Sequence, residues 1–304
     1  MTVTAVHGKA LPLGQVGLVE AGARRAKQRT LRRHMLVYLG LVPFIFITVF
    51  PVVWMGITAF KTDADLVNPN VFPFWFHQHP TWEHFTYLFQ HTYYKDWISN
   101  TMLIAACVSL ITLLVGVPAG YALARVGLPG AENMGIGIFL GYLIPPILLF
   151  IPLSRVVGLT HLIDTKWALV LIYPTFTIPY CTWLLSGFFK TVPPEIEEAA
   201  QVDGCGRLGA LIRTVLPVSL AGILTAVIFA FTLTMQDFLY SLVFVSVSDQ
   251  KPVPLGVATD LIRGDVYYWG SLMAGALLVG IPVAILYVFF LDQFISGITS
   301  AAVK

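Results

Sequence analysis

The sequence predicts an all-α, polytopic membrane protein with six transmembrane helices. Of its 304 residues, 57% are hydrophobic and 11% are charged, and the mean hydropathy is +0.79, whereas about a quarter of the residues of a soluble domain are charged. Runs long enough to cross a hydrocarbon core of about 30 Å lie at residues 35–60, 98–124, 134–153, 166–189, 215–247 and 270–291.

Basic residues set the predicted orientation. They lie just before the first apolar run, at Arg24, Arg25, Lys27, Arg29, Arg32 and Arg33. Because cytoplasmic flanks of spans are enriched in lysine and arginine, the N-terminus is predicted to lie in the cytosol. An even number of crossings returns the C-terminus to the same side. No signal peptide is expected, since residues 1–34 are polar and no small-residue cleavage site follows.

The predicted organisation has four parts. A basic cytosolic tail (1–34) precedes the first span and its extracytoplasmic loop (35–97), a core of five spans (98–292) follows, and a short cytosolic tail (293–304) ends the chain. The core includes a polar stretch, residues 191–217, that we call the acidic loop. Counting crossings places this loop in the cytosol, on the same side as Lys190, Arg207 and Arg213.

Spans two to four carry small residues and prolines at informative positions. Gly116 and Gly120 in span two would allow a neighbouring helix to approach closely, as packing in lipid favours. Pro145 and Pro146 interrupt span three, and Pro174 and Pro179 interrupt span four. Prolines in spans permit bends, which suit either ordinary kinked packing or a path that opens and closes.

Residues 61–97, which we call the long loop, are rich in aromatic residues and histidine. Trp75, Trp82 and Trp97 fit an aromatic belt at headgroup level. The histidines do not repeat a metal-ligand spacing, so we interpret them as interfacial polar residues rather than a metal site; they are His77, His79, His84 and His91. A docking surface for an external protein is the functional alternative.

The acidic loop is predicted to form two short helices around a glycine turn. Pro193 and Pro194 suit the start of a helix, and acids follow where the helix dipole favours them, at Glu195, Glu197 and Glu198. The first helix has a small apolar face made of Ile196, Ala199 and Ala200. After the break at Gly204 and Gly206, helical spacing resumes at Leu208, Leu211, Ile212 and Val215. Such a pair of helices either docks in a groove of another protein or rests on lipid headgroups.

Span five contains an acid within an otherwise apolar run. A carboxylate at membrane depth costs about 2.5 to 3.5 kcal/mol on insertion scales, so Asp237 is predicted to face a partner or a wet cavity and not lipid. It contacts either the solute or a neighbouring helix. Gln236 and Tyr240 would add amide and hydroxyl groups to a candidate solute path.

Several functions are disfavoured by missing patterns. Cys107, Cys181 and Cys205 have no CxxC spacing, which disfavours a disulfide framework or a zinc site. No GxxxxGK[ST] phosphate loop occurs, so this chain is not expected to hydrolyse ATP. No HExxH and no acidic pair within a span supports an intramembrane enzyme, so no catalytic residue is assigned. The net charge of +2 gives no support for a nucleic-acid partner, and none is expected.

The acidic loop resembles the EAA loop of ABC-importer permeases. The match consists of Glu198, Ala199 and Ala200, then Gly204, then Leu216 and Pro217 at the family spacing, with Thr214 in the position of an isoleucine. Further stretches, GYALARVGLPG, MQDFLYSLVF and the ending GITSAAVK, are similar to the MalG-type permeases of carbohydrate importers. The resemblance runs from about residue 35 to the end, and Met235 and Gln236 replace the usual Trp-Asn.

The resemblance implies a type I importer half. The expected partners are a second permease subunit, two ATPase subunits, an extracytoplasmic solute-binding protein, a sugar and the lipid bilayer of a bacterial or archaeal cytoplasmic membrane. ATP and Mg²⁺ would be bound by the ATPases, and no cofactor is expected in this chain. The expected ATPase-coupling residues are Glu198, Ala199, Ala200, Asp203, Gly204, Leu216 and Pro217. The alternatives are an importer permease for a non-sugar solute and a stand-alone secondary transporter, which would need coupling-ion sites.

Overall fold

The computed structural model describes residues 13–263 and 266–302, with side chains described at residues 32, 34–262 and 267–291. Residues 1–12, 264–265 and 303–304 lie outside the described residues, and parts of the predicted tails, 1–34 and 293–304, lie outside with them. The chain divides into two compact units between Met55 and Gly56. The described residues confirm the all-α class.

The elements follow one another in a simple order. The helices are α1 (Leu13–Phe60), α2 (Asp63–Val67), α3 (Glu83–His91), α4 (Tyr94–Arg125), α5 (Ala131–Tyr142), α6 (Pro146–Leu159), α7 (Lys166–Ile172), α8 (Pro174–Thr191), α9 (Pro194–Val202), α10 (Arg207–Ala210), α11 (Leu216–Val218), α12 (Leu220–Gln236), α13 (Leu239–Phe244), α14 (Val253–Asp260) and α15 (Trp269–Ala302). A π-helical turn, Leu211–Val215, joins α10 to α11, and a 3-10 turn, Ser248–Gln250, precedes α14. Two strands, β1 (Ile262–Arg263) and β2 (Val266–Tyr267), pair antiparallel, with Ile262 opposite Tyr267.

The first unit contains α1 up to Met55. Its apolar side chains are exposed, for example Phe44 at 69% and Ile47 at 68%, and a helix that is apolar all round belongs in lipid. The helix begins at Leu13, so residues 13–34 of the predicted tail are helical.

The six predicted spans are present, but two of them are bent. Four described helical stretches are long and apolar enough to cross a membrane, namely His34–Phe60, Tyr94–Arg125, Lys166–Thr191 and Trp269–Leu291. Two bent pairs bring the number to six if each pair is one span. The predicted interruption of span three at Pro145 and Pro146 is confirmed, since α5 ends at Tyr142 and α6 begins at Pro146, with an angle of 89° between them. Two consecutive prolines lack amide donors and drive the preceding residue out of the helical region.

The span predicted over 215–247 is divided into separate helices. It is bent by 82° after Val218 and then stops at Gln236. Asp237 has extended backbone, and its carboxylate accepts amide hydrogens of Tyr240 and Ser241 at 3.1 and 3.2 Å. An aspartate that bonds to amides ahead of it starts a new helix, so α13 follows as a separate element.

Within the second unit, α4 and α8 pack closely through small residues, as predicted. A Cβ atom added at Gly120 would lie 3.1 Å from the Cβ atom of Leu185 and from the carbonyl oxygen of Thr182. Thr112 and Thr177 also share a hydrogen bond of 2.6 Å across this contact. The two helices therefore form one closely packed pair.

The long loop folds onto the bundle in a way that corrects two predictions. Trp97 is 0% exposed and is a core residue, not part of a headgroup belt, whereas Trp75 and Trp82 are each 67% exposed. His84 is also buried, and its Nε2 donates to the carbonyl oxygen of Lys61 at 2.7 Å. The aromatic and histidine residues of this loop thus serve partly as structural contacts.

We expect Asp65→Asn to lower the melting temperature at neutral pH. The carboxylate accepts the amide hydrogens of Gln78 and His77 at 2.9 and 3.0 Å, and these bonds, that of Gln78 first, hold the pKa of Asp65 below its ordinary value. A carboxyl whose pKa is lower in the folded than in the unfolded protein stabilises the fold at pH values above its unfolded-state pKa. This stabilisation is lost as the pH falls through the folded-state pKa. The difference in melting temperature between the two proteins should therefore shrink on acidification. A difference that stays constant down to acidic pH contradicts this prediction.

Candidate functional site

The acidic loop has the predicted form of short helices around a glycine turn. Helix α9 begins at Pro194 and ends at Val202, and Gly204 has a φ of +87°, a left-handed conformation that glycine adopts at low cost. Winding then resumes at Arg207 and continues through the π-helical turn into α11.

Only part of each predicted apolar face of this loop is buried. Ala200 is buried, whereas Ile196 and Ala199 are exposed. The three residues therefore do not form one common face, and this part of the prediction is wrong. Along the second stretch, the members of the predicted face alternate between bundle and surface: Leu211 and Val215 are buried, while Leu208 and Ile212 are 67% and 56% exposed.

The predicted coupling residues mostly lie on the surface of the loop. Glu198, Ala199, Asp203, Gly204 and Pro217 are exposed, Leu216 is half-buried, and Ala200 is buried. Val202, which the sequence did not single out, is 88% exposed beside them. We call the exposed group the loop surface; its members are Ile196, Glu198, Ala199, Val202, Asp203, Leu208 and Ile212.

Sequence reasoning missed a buried cluster behind this surface. Glu197 is only 8% exposed and accepts a hydrogen bond from the hydroxyl of Tyr121 on α4. Arg125, one turn further along α4, lies 4.0 Å from the same carboxylate. The i, i+4 spacing of Tyr121 and Arg125 at the end of span two was a usable signal, since residues at that spacing share one helix face.

A cavity of about 500 Å³ lies between the proline break of span three and the end of α12 at Gln236. It combines the three predicted solute-path residues with aromatic and apolar side chains. Its lining consists of Tyr142, Leu143, Ile144, Pro145, Pro146, Tyr173, Phe176, Leu233, Gln236, Asp237, Leu239 and Tyr240. The structure therefore brings Gln236, Asp237 and Tyr240 together at one concave site.

Asp237 is both a structural group and a cavity-lining one. Its Oδ2 accepts the hydroxyl of Tyr173 at 2.8 Å in addition to the two amides of α13. The hydroxyl of Tyr240 is bonded to the carbonyl oxygen of Pro146, whereas Gln236 is exposed. The bond to Tyr173 and the position in the cavity lining are compatible with both interpretations of Asp237, contact with a neighbouring helix and contact with the solute.

No group of three or more His, Cys, Asp or Glu side chains among the described residues is arranged to hold a metal ion.

Comparison with known proteins connects these features to one family. The family model described as binding-protein-dependent transport system inner membrane component matches residues 116–300. The chain is 31% identical over 282 residues to the inner membrane ABC transporter permease protein YcjP of Escherichia coli (strain K12), covering 91% of this chain and 98% of that protein. It is 34% identical over 257 residues to the sulfoquinovosyl glycerol transport system permease protein SmoH of Agrobacterium fabrum, covering 84% of this chain and 88% of that protein.

The fold is likewise shared with a solved structure. A chain of a bacterial ABC transporter involved in the import of the acidic polysaccharide alginate superposes with a TM-score of 0.73 at 17% identity, covering 88% of this chain and 98% of that chain. Together with the helical spans and the length of the family match, these similarities show that the chain is a multi-pass ABC transporter permease that belongs to the family of binding-protein-dependent transport system inner membrane components.

Proposed function

We propose that this chain is a permease subunit of an ATP-driven importer that moves a sugar, an oligo- or disaccharide, across the cytoplasmic membrane. A second permease subunit completes the path, and an extracytoplasmic solute-binding protein delivers the solute. Two ATPase subunits dock at the acidic loops and bind ATP and Mg²⁺, so the chemistry of hydrolysis resides in other chains.

The loop surface carries the docking part of this proposal. It combines exposed apolar side chains, among them Val202 at 88% and Leu208 at 67% exposure, with the exposed carboxylate of Glu198. Exposed apolar groups within a polar surround are typical of protein interfaces, whereas helices that rest on lipid usually present lysine and arginine beside their apolar face. The acid at this position therefore favours a protein partner.

The remaining coupling residues shape this surface. The left-handed turn at Gly204 redirects the chain after Asp203, so that Val202 and Leu208 flank one turn. Leu216 and Pro217 form the start of α11, just before the 82° bend into α12. In the proposal, Glu198 faces the ATPase, and the turn and bend let the loop follow its movement.

The cavity supports a polyhydroxylated solute. Its volume of about 500 Å³ falls in the range of about 300–1,000 Å³ that is usual for small-molecule sites. Asp237 offers an acceptor and Gln236 both a donor and an acceptor for hydroxyl groups, and the rings of Tyr142 and Phe176 supply flat apolar walls. The relative SmoH is named for sulfoquinovosyl glycerol transport, and the structural neighbour imports alginate, which also favours a sugar.

Orientation follows from the same proposal. Six crossings, with arginine-rich residues before the first, support an orientation in which both termini and the acidic loop face the cytosol. This is the side on which an ATP-dependent motor would have to bind.

Co-purification of the chain with its co-expressed ATPase tests the proposal. We expect Glu198→Lys to reduce the retained ATPase by about tenfold or more, equivalent to about 1.4 kcal/mol, because it reverses a charge on the loop surface. Solute uptake into proteoliposomes should fall in parallel.

A matched control comes from the same end of the bundle. Glu132 is exposed and lines a small cleft with Lys190 at the end of α8, so Glu132→Lys makes the same charge change outside the loop surface. It should retain the ATPase. Uptake by the chain alone, without ATPase, would instead identify a secondary transporter, and uptake of non-sugar solutes only would reject the sugar assignment.

A further inference from the structure

One glutamate of α9 points into the bundle, not towards a partner. Glu197 is 8% exposed, while Glu198 next to it is exposed. The hydroxyl of Tyr121 donates to Oε1 of Glu197, and the side-chain amide of Gln201 donates to the same oxygen at 3.4 Å. The other oxygen, Oε2, lies 4.0 Å from Nε of Arg125. A buried carboxylate is stable only when it is paired in this way.

Arg125 extends the cluster to the end of α8. Its Nε and Nη2 donate to the carbonyl oxygen of Phe189 at 3.0 and 2.7 Å, and Nη2 also donates to the carbonyl oxygen of Val192. The last carbonyls of a helix have no partner within it, and the guanidinium fork suits several acceptors at once. One side chain of α4 therefore binds the end of α8 and lies beside the carboxylate of α9.

The helices held by this cluster are closely packed against each other. Gly120 brings the backbone of α4 against Leu185 and Ser186 of α8, and the ring of Tyr121 packs edge-on against Phe189 at a centroid distance of 6.3 Å. The other end of the acidic loop is built differently, since a π-helical turn and an 82° bend separate it from α12. Displacement of α9 would thus reach α4 and α8 directly, and α12 through a bend.

We propose that Glu197 is a positioning residue that fixes α9 to the α4–α8 pair and so transmits the movement of the ATPase to the spans without touching the ATPase itself. This inference rests on the proposed function. It assigns different roles to adjacent glutamates: Glu198 faces outward to the motor, and Glu197 faces inward to the helices that the motor moves.

The test uses the full importer complex in proteoliposomes and measures solute transported per ATP hydrolysed. Glu197→Gln keeps the size of the side chain but removes the charge beside Arg125, and Tyr121→Phe removes the hydroxyl donor. We expect both variants to retain the ATPase at the wild-type ratio and to transport at least about fivefold less solute per ATP, the lower end of typical coupling effects. The double variant should be no worse than Glu197→Gln alone, because both changes break one contact.

Glu195→Gln is the matched control, because Glu195 is exposed on the same helix turn; it should behave as wild type. Wild-type transport per ATP in both Glu197→Gln and Tyr121→Phe would overturn the inference. So would loss of the ATPase from Glu197→Gln, since it would place Glu197 at the docking surface. If Glu197→Gln does not fold, Tyr121→Phe decides alone. Failure of the wild-type chain to bind any ATPase would reject the proposed function, which is a distinct result.

Discussion

Replacing Asp237 with alanine is expected to reduce solute uptake by about tenfold or more while the complex still assembles. The carboxylate lines the cavity and also bonds to Tyr173 and to the amides that start α13. Its removal deletes a hydrogen-bonding group for solute and a cap worth about 0.5–2 kcal/mol. A moderate loss of stability should therefore accompany the loss of uptake, and both are measured on the purified complex in lipid.

Asp237→Asn separates these two effects. The amide oxygen of asparagine can still accept the hydrogens of Tyr240 and Ser241, so α13 keeps its cap, whereas the charge is lost. Wild-type stability with reduced uptake would show that the carboxylate contacts solute. Normal uptake by Asp237→Asn, together with unfolding of the alanine variant, would reduce Asp237 to a structural residue.

The span count could be predicted because lipid imposes it. A bilayer requires about 20 apolar residues in each helical crossing, and runs of that length can be identified in the sequence. Breaks within a crossing depend instead on individual side chains. The consecutive prolines at 145–146 predicted a break in span three. Asp237 was interpreted only as an acid that is unfavourable at membrane depth, whereas its carboxylate accepts the amide hydrogens of Tyr240 and Ser241 and starts a new helix.

The acidic loop was predictable as local structure and only partly as a site. Prolines, acids and glycine fixed where its helices begin and turn. The helix dipole favours acids near the start of α9 and does not distinguish between the three glutamates there, so only their tertiary contacts show which of them is buried. Glu197 is buried against Tyr121, which lies 76 residues earlier in the chain. The i, i+4 spacing of Tyr121 and Arg125 indicates a shared helix face, but it does not identify the glutamate that this face contacts.

Trp97 illustrates the same limit in the long loop and gives the largest expected effect on stability. It was expected at the membrane surface by composition, yet it is 0% exposed, and its Nε1 donates to the carbonyl oxygen of Ser248 at 2.7 Å. We expect Trp97→Ala to lower the free energy of unfolding by about 3–5 kcal/mol, the usual cost of deleting a buried aromatic side chain. Denaturation in lipid bicelles measures it.

Three variants show whether packing is the cause. Trp75 is 67% exposed, so Trp75→Ala should change the free energy of unfolding by no more than about 0.5 kcal/mol. A Cβ atom at Gly256 would overlap the ring of Trp97, so Gly256→Leu alone should be strongly destabilising. In the Trp97→Ala background the leucine can enter the vacated volume, and the two effects should be less than additive. Full additivity would mean that Trp97 and Gly256 do not share one packed space, because only neighbours that compete for the same volume compensate each other.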